Sequence, residues 1–203
     1  MAVSSVLYVP SLGIIHVVKS FVDWVVSGSW DNTVKIWDMK SEKQEPIHCF
    51  TQSSKVYAMD ISNDLYVIHA LHIIFIPRKL VVACENRQIV GYNLQALPEP
   101  IFSRESILKF SIRCIRFFND NNGFVVGSIE GRVGVEYIQE NEVSKPFSFR
   151  CHRVTDMYNT ELIYPVNCIA IHPVYGTFAT AGSDGTVCIW DAVAKKRLAC
   201  YSG

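Results

Sequence analysis

The chain has 203 residues, and its 19 Lys and Arg balance 19 Asp and Glu, so the formal net charge is zero. The hydrophobic fraction of 49% excludes intrinsic disorder as the main state, because this much apolar surface must be buried. The neutral balance argues against a general nucleic-acid binder, which needs a strongly basic surface. The longest charge-free apolar run, residues 65–76, is too short for a membrane-spanning helix, which needs about 20 residues.

Four segments share one pattern, in which an apolar strand, a small residue and a polar turn precede a second strand that ends near an aromatic residue. They are residues 24–39, 79–94, 123–138 and 176–192. Turn pairs such as Asp31-Asn32 and Asp184-Gly185 between apolar runs favour β-hairpins, because these residues tolerate positive φ at little cost.

Further strands complete each unit. Alternating apolar runs precede three of the hairpins, at 56–62, 112–118 and 166–173. A fourth, outer strand is predicted after each hairpin, as at 146–151 and 196–201. Four-stranded units in series are β-propeller blades, so the sequence predicts an all-β propeller with about four blades.

The predicted domain organisation has two parts. Residues 1–23 form an atypical N-terminal segment, and 24–203 form a partial propeller whose first blade is incomplete. A hydrophobic insert at about 64–78 separates two strands of one blade. This insert is either a divergent insertion or a splicing product.

Several strings in the chain resemble a known family. GSWDNTVKIWD and GSDGTVCIWD are close to the WD-repeat signature, and the ordered series SIEGRVGVEYI, FSFRCHR and IYPVNCIAIHPVYGTFATAGSDGTVCIWD is more specific. Over about residues 24–63 and 79–203 the chain resembles the spindle-assembly-checkpoint WD-repeat proteins of the budding-uninhibited-by-benzimidazole type. Their close relatives are the messenger-RNA-export WD-repeat proteins of the nuclear pore. The resemblance implies about four of an expected seven blades, in an open rather than closed ring.

The resemblance also implies a function. The family members are non-catalytic adaptors that dock short glutamate-containing motifs of checkpoint kinases and a phosphorylated kinetochore scaffold. The implied location is the nucleus, with the kinetochore in mitosis and the cytoplasm as a further compartment. The alternatives are an mRNA-export or nuclear-pore adaptor, or a shortened product without function. We expect self-association through uncovered terminal blades, and no direct contact with nucleic acid or membrane.

Strand parity, meaning the alternation of strand direction along a blade, places three candidate site residues on one face without reference to the family. In an up-and-down blade, the turn between the second and third strands lies on the same side as the connection to the next blade. Trp30, Arg132 and Arg153 occupy such positions. An exposed Trp with two Arg nearby forms a peptide-binding surface, because the guanidinium fork suits a Glu side chain or a phosphate. The alternatives are that Trp30 packs inward and that Arg132 pairs with Glu130 or Glu136.

The resemblance adds His152 as a lesser peptide-binding candidate. It also implies that Asp31, Trp37, Asp184 and Trp190 are structural, because a turn Asp and a strand Trp join a hydrogen-bond network in WD repeats. The Gly-His dipeptide that completes this network is absent, so we expect only a partial network.

No arrangement of residues predicts catalysis, a cofactor or a metal. His69 and His72 lie in an apolar run without a nearby carboxylate, which disfavours a metal site. The seven cysteines form no Cys-x-x-Cys motif, so we expect buried free thiols in a reducing compartment.

Overall fold

The structure, a computed structural model, describes residues 15–21, 23–43, 45–62, 65–69, 72–76, 78–139 and 145–202. These residues form antiparallel sheets, of which four have four strands each. Blade 1 contains β1 (Ile15–Phe21), β2 (Trp24–Ser29), β3 (Thr33–Asp38) and β4 (His48–Thr51). Blade 2 contains β5 (Val56–Ile61), β8 (Lys79–Cys84), β9 (Gln88–Asn93) and β10 (Pro100–Glu105).

The other two blades lie further along the chain. Blade 3 contains β11 (Ile112–Phe117), β12 (Gly123–Ser128), β13 (Arg132–Tyr137) and β14 (Phe147–Arg150). Blade 4 contains β17 (Val166–Ile171), β18 (Thr177–Gly182), β19 (Thr186–Asp191) and β20 (Lys196–Ser202). The predicted outer strands at 146–151 and 196–201 are confirmed as β14 and β20, and the all-β partial propeller is confirmed.

Two short hairpins lie outside the blades. The hairpin of β6 (Leu65–His69) and β7 (His72–Ile76) falls within the predicted insert, between the first two strands of blade 2. The hairpin of β15 (Arg153–Thr155) and β16 (Glu161–Ile163) connects blade 3 to blade 4 and forms its own two-stranded sheet.

The first blade differs from the prediction. The sequence assigned residues 1–23 to an atypical segment, yet β1 pairs with β2 from Ile15↔Ser29 to Phe21↔Trp24. Blade 1 is therefore complete, because the Ile15–Phe21 run supplies the strand that the prediction lacked. Residues 1–14 lie outside the described part of the chain.

The core consists of three apolar layers, each between two neighbouring blades. Successive side chains of a β-strand point to opposite faces of its sheet, so every second side chain faces the neighbouring blade. The apolar side chains at these positions form the layers. The layers centre on Val26, Ile36 and Met59, then on Val81, Ile115 and Phe124, then on Val135, Phe178 and Trp190. Burying these side chains holds consecutive blades together.

The first strand of each blade is its inner strand, because β1, β5, β11 and β17 contact one another in that order. A partly buried charge cluster joins three of these inner strands. Asp60 lies 2.9 Å from Arg116 Nη1 and 3.2 Å from Lys19 Nζ, and it accepts a 3.0 Å hydrogen bond from the Phe117 amide. Ion pairs from blades 1 and 3 thus converge on one carboxylate of blade 2.

One face of the propeller, here called the upper face, carries the turn between the second and third strands of each blade and the connection to the next blade. Backbone hydrogen bonds fix the two features side by side, as strand parity predicts. Gln52 N donates to Asn32 O at 2.7 Å, and Cys151 N donates to Gly131 O at 3.0 Å.

One pair of cysteines contradicts the expectation of free thiols. Cys188 on β19 lies directly opposite Cys200 on β20, and the two form a disulfide. The prediction was wrong for this pair because strand register, which the sequence alone did not reveal, brings the two residues together. Among the cysteines that remain free, Cys84 is buried as predicted, whereas Cys49 and Cys168 are exposed, so the predicted burial was wrong for these two.

Candidate functional site

A cavity of ≈ 480 Å³ opens on the upper face beside Trp30. Trp30 lies in the turn between β2 and β3, and it is 39% exposed. Its ring meets the Tyr57 ring edge-on, with centroids 6.3 Å apart. The Tyr57 hydroxyl donates to Glu85 Oε1 at 3.0 Å. The alternative that Trp30 packs fully inward is therefore not what the structure shows.

Arg113 lines the same cavity, and the sequence analysis missed it. It is the second residue of the inner strand β11, and its Nε donates to Asn167 Oδ1 at 2.7 Å. Asn167 Nδ2 in turn donates to Ser183 Oγ at 2.8 Å. The guanidinium is thereby oriented from blade 4. Strand parity could have found Arg113, because an inner strand begins on the upper face.

Arg132 begins β13, and its side chain is 29% exposed. Its Nε lies 3.8 Å from Glu130 Oε1, so Arg132 does pair with an acidic neighbour. Glu136, the other acidic neighbour considered, instead accepts hydrogen bonds from Ser106 Oγ at 2.7 Å and Ile107 N at 3.2 Å. A pairing at 3.8 Å is too long for a hydrogen bond, so this contact leaves hydrogen-bonding capacity on the guanidinium.

Arg153 is held more tightly, and its side chain is 12% exposed. Its Nη2 donates to Glu130 O at 2.8 Å, its Nε to Gly131 O at 3.4 Å, and its Nη1 to Glu161 Oε2 at 2.8 Å. The structure therefore brings Arg132 and Arg153 together around the 130–131 turn. Neither lines the Trp30 cavity, which Ile129 from the same turn does line.

His152 has a different role from the one proposed by resemblance. It is only 4% exposed, and its Nδ1 lies 2.9 Å from Asp184 Oδ1. Its Nε2 lies 2.8 Å from Thr180 Oγ1, which also accepts the Trp190 indole N–H at 2.9 Å. Because the ionised Asp184 carboxylate can only accept, Nδ1–H donates to it, and Nε2 of the neutral imidazole then accepts the Thr180 hydroxyl proton. Both nitrogens of the imidazole therefore contact blade 4, and the ring does not face a ligand.

These contacts complete the hydrogen-bond network of blade 4, although we expected it to be partial. Cys151-His152 supplies the histidine in place of the usual Gly-His dipeptide. Burial alone would raise the pKa of Asp184, but hydrogen bonds from Thr186 and the contact with His152 hold that pKa below its ordinary value. Asp184 is therefore ionised at neutral pH and orients the imidazole.

Blades 1 and 2 have related contacts at equivalent positions. In blade 1, the Trp37 indole donates to Ser27 Oγ at 2.9 Å, and Asp31 Oδ1 accepts from Thr33 N at 2.9 Å. In blade 2, Tyr92 Oη accepts from Gln52 Nε2 at 2.8 Å. These contacts tie the third strand of each of these blades to a neighbouring strand or connection and leave the upper-face side chains on a rigid support.

Among the residues that the structure describes, no group of three His, Cys, Asp or Glu side chains could hold a metal ion. No helix within those same ranges is long and apolar enough to cross a bilayer. The His69 and His72 side chains lie outside the description.

Comparison with known proteins identifies repeats and relatives. The model of the WD domain, G-beta repeat, matches residues 16–38 and 147–191. The mitotic checkpoint protein bub-3 of Caenorhabditis elegans is 42% identical over 177 residues, which cover 86% of this chain and 48% of that protein. The mitotic checkpoint protein BUB3.1 of Arabidopsis thaliana is 38% identical over 183 residues, covering 88% of this chain and 49% of that protein.

The mRNA export factor GLE2 of Chaetomium thermophilum is 39% identical over 176 residues, covering 87% of this chain and 45% of that protein. The mitotic checkpoint proteins and the mRNA export factor therefore match this chain at similar identity. The chain spans about half the length of the curated relatives it matches.

Proposed function

This chain belongs to the WD-repeat family, in the group that contains mitotic checkpoint and mRNA-export proteins, and from that premise we propose that it is a non-catalytic adaptor of the spindle-assembly checkpoint. Its proposed ligands are short glutamate-containing motifs of checkpoint kinases and a phosphorylated kinetochore scaffold. The proposed locations are the nucleus and, in mitosis, the kinetochore. The names of the checkpoint relatives support this role.

The observation that carries the proposal is the pairing of an exposed aromatic side chain with an oriented guanidinium in one cavity. Trp30 and Tyr57 contribute aromatic rings to the wall of this cavity, and Arg113 on β11 lines the same cavity. Trp, Tyr and Arg are the residues most enriched at energetic centres of protein interfaces. A cavity of this composition suits a peptide that has an apolar residue next to a carboxylate.

Arg132 and Arg153 extend the cationic surface beyond the cavity. A peptide lying across the upper face would meet Trp30 first and the 130–131 turn next, since Ile129 joins the two regions. Charge-assisted hydrogen bonds from guanidinium to carboxylate or phosphate are about twice as strong as neutral ones. Two separate cationic positions therefore favour a motif with more than one acidic group.

The second candidate function is an mRNA-export adaptor, which the match to the Chaetomium thermophilum protein favours. The same face would serve, because the fold positions the same side chains whichever motif binds. The two roles are separated by the motif that the upper face prefers, not by the fold.

We also propose that the chain self-associates through the outward flank of blade 4. Val187 and Tyr201 are paired across β19 and β20, and they are 43% and 61% exposed. Exposed apolar side chains on a sheet face promote association. Light scattering across a concentration series should show an increase in mass that Val187→Lys abolishes, and a constant monomer mass would contradict the proposal.

The adaptor proposal is tested by fluorescence anisotropy with a synthetic kinase docking peptide and its Glu→Gln version. We expect the glutamate peptide to bind at least about tenfold more tightly, because the glutamine version loses the charge-assisted contacts. A peptide from an mRNA-export partner serves as the competitor for the second function. Equal affinity for the glutamate and glutamine peptides would contradict recognition by arginine.

A further inference from the structure

We infer that Glu161 is a built-in competitor for the ligand carboxylate at Arg153, an inference that rests on the proposed function of the upper face. The two residues lie on the two strands of one hairpin. In its register Arg153 is opposite Ile163 and Thr155 is opposite Glu161, so Arg153 and Glu161 are diagonal neighbours on one side. A long side chain can span that diagonal, and Arg153 Nη1 meets Glu161 Oε2 at 2.8 Å.

The remaining guanidinium nitrogens fix where the competition occurs. Nη2 and Nε donate to Glu130 O and Gly131 O, which are backbone carbonyls of the turn. The acceptors in these two contacts are neutral backbone oxygens, so they leave the charge of the guanidinium uncompensated. Among these nitrogens only Nη1 meets a carboxylate, so an incoming acidic side chain that pairs with this edge displaces Glu161.

Exposure makes the exchange feasible. The Glu161 side chain is 45% exposed, whereas the Arg153 side chain is 12% exposed. Glu161 can therefore turn into water while Arg153 stays in place. The hairpin forms a separate two-stranded sheet, so this movement breaks no hydrogen bond of a blade.

The competition sets a threshold for binding and favours charged ligands. A glutamate or a phosphate can replace the Glu161 carboxylate, because it restores the charge on the guanidinium edge. A glutamine offers only a neutral oxygen and competes poorly with an ionised carboxylate. Glu161 is thus a specificity-determining residue, although it makes no contact with the ligand.

The test measures affinities of the wild type and Glu161→Gln for the glutamate peptide and for its Glu→Gln version. We expect Glu161→Gln to bind the glutamate peptide about two- to fivefold more tightly, the range for releasing one exposed ion pair. In the Arg153→Ala background the same substitution should give no gain. Glu105→Gln is the matched control, because Glu105 pairs with Arg87 at 3.0 Å on the same face, away from the cavity.

The outcomes separate the two claims. A wild type that binds the glutamate peptide while Glu161→Gln binds equally or more weakly overturns the inference and leaves the proposed function standing. A gain that persists without Arg153 also overturns it. Failure of the wild type and of Glu161→Gln to bind, with unchanged melting temperatures, overturns the proposed function and this inference together.

Discussion

Arg113 Nε donates a 2.7 Å hydrogen bond to Asn167 Oδ1, and this contact joins the inner strands of blades 3 and 4 at the edge of the Trp30 cavity. The contact fixes the direction of the guanidinium before a ligand arrives. Affinity gained through such preorganisation is gained by reducing the entropy lost on binding.

Asn167→Ala should therefore weaken binding of the glutamate peptide by about two- to tenfold, even though Asn167 carries no charge. Ser183→Ala removes only the next hydrogen bond in the chain, so its effect should be smaller. Fluorescence anisotropy with both variants measures which substitution weakens peptide binding more. Equal affinity of Asn167→Ala and wild type would show that Arg113 needs no support from blade 4.

The buried imidazole of His152 should contribute strongly to stability. His152→Ala leaves the Asp184 carboxylate and the Thr180 hydroxyl without their shared partner, and we expect a loss of about 2–3 kcal/mol in the free energy of unfolding. His48→Ala is the control, because His48 is exposed on β4 and should change stability by less than about 0.5 kcal/mol. Urea denaturation compares the two, and similar losses would contradict the network.

Removing the Asp60 carboxylate should lower the free energy of unfolding more than removing an exposed, ion-paired aspartate does. Its side chain is 13% exposed and faces Arg116 and Lys19, so Asp60→Ala leaves two partly buried cations unpaired. We expect a loss of about 2–3 kcal/mol. Asp23→Ala removes the exposed pair with Lys40 and should cost under about 1 kcal/mol. Equal urea midpoints for the two variants would rule out a structural role for the cluster.

Asp184 gives the stability a defined pH dependence. Its pKa is below the ordinary value of 3.8 in the folded chain, so its stabilising contribution is fully present above about pH 4. The contribution is lost as the pH falls through the folded pKa. The stability difference between wild type and Asp184→Asn should therefore shrink below pH 4 in urea titrations. A difference that stays constant from pH 7 to pH 3 would contradict this assignment.

The sequence predicted the blades well because strand periodicity and turn chemistry are local signals. Asp184-Gly185 and Asp31-Asn32 marked hairpins that the structure confirms. The first strand, Ile15–Phe21, was missed because it precedes the first turn signal and has no repeat before it. The Cys188–Cys200 disulfide was missed because it depends on strand register.

The candidate site was only partly predictable. Parity placed Trp30, Arg132 and Arg153 on one face, because turn positions follow from strand order. It did not reveal that the Arg153 side chain is engaged by a turn and by Glu161, since those contacts are set by packing. His152 was mistaken for a surface residue because burial of a polar side chain depends on partners from blade 4 that are distant in sequence.

The most direct test of the account is the affinity of Arg113→Ala for the glutamate docking peptide beside that of Arg87→Ala. Arg87 lies on the same face, in the turn between β8 and β9 of blade 2, and pairs with Glu105, so it matches Arg113 in charge without lining the cavity. The account predicts that Arg113→Ala binds roughly ten- to a hundredfold more weakly, while Arg87→Ala binds as the wild type does. Equal affinities of the two variants would contradict peptide recognition in the Trp30 cavity.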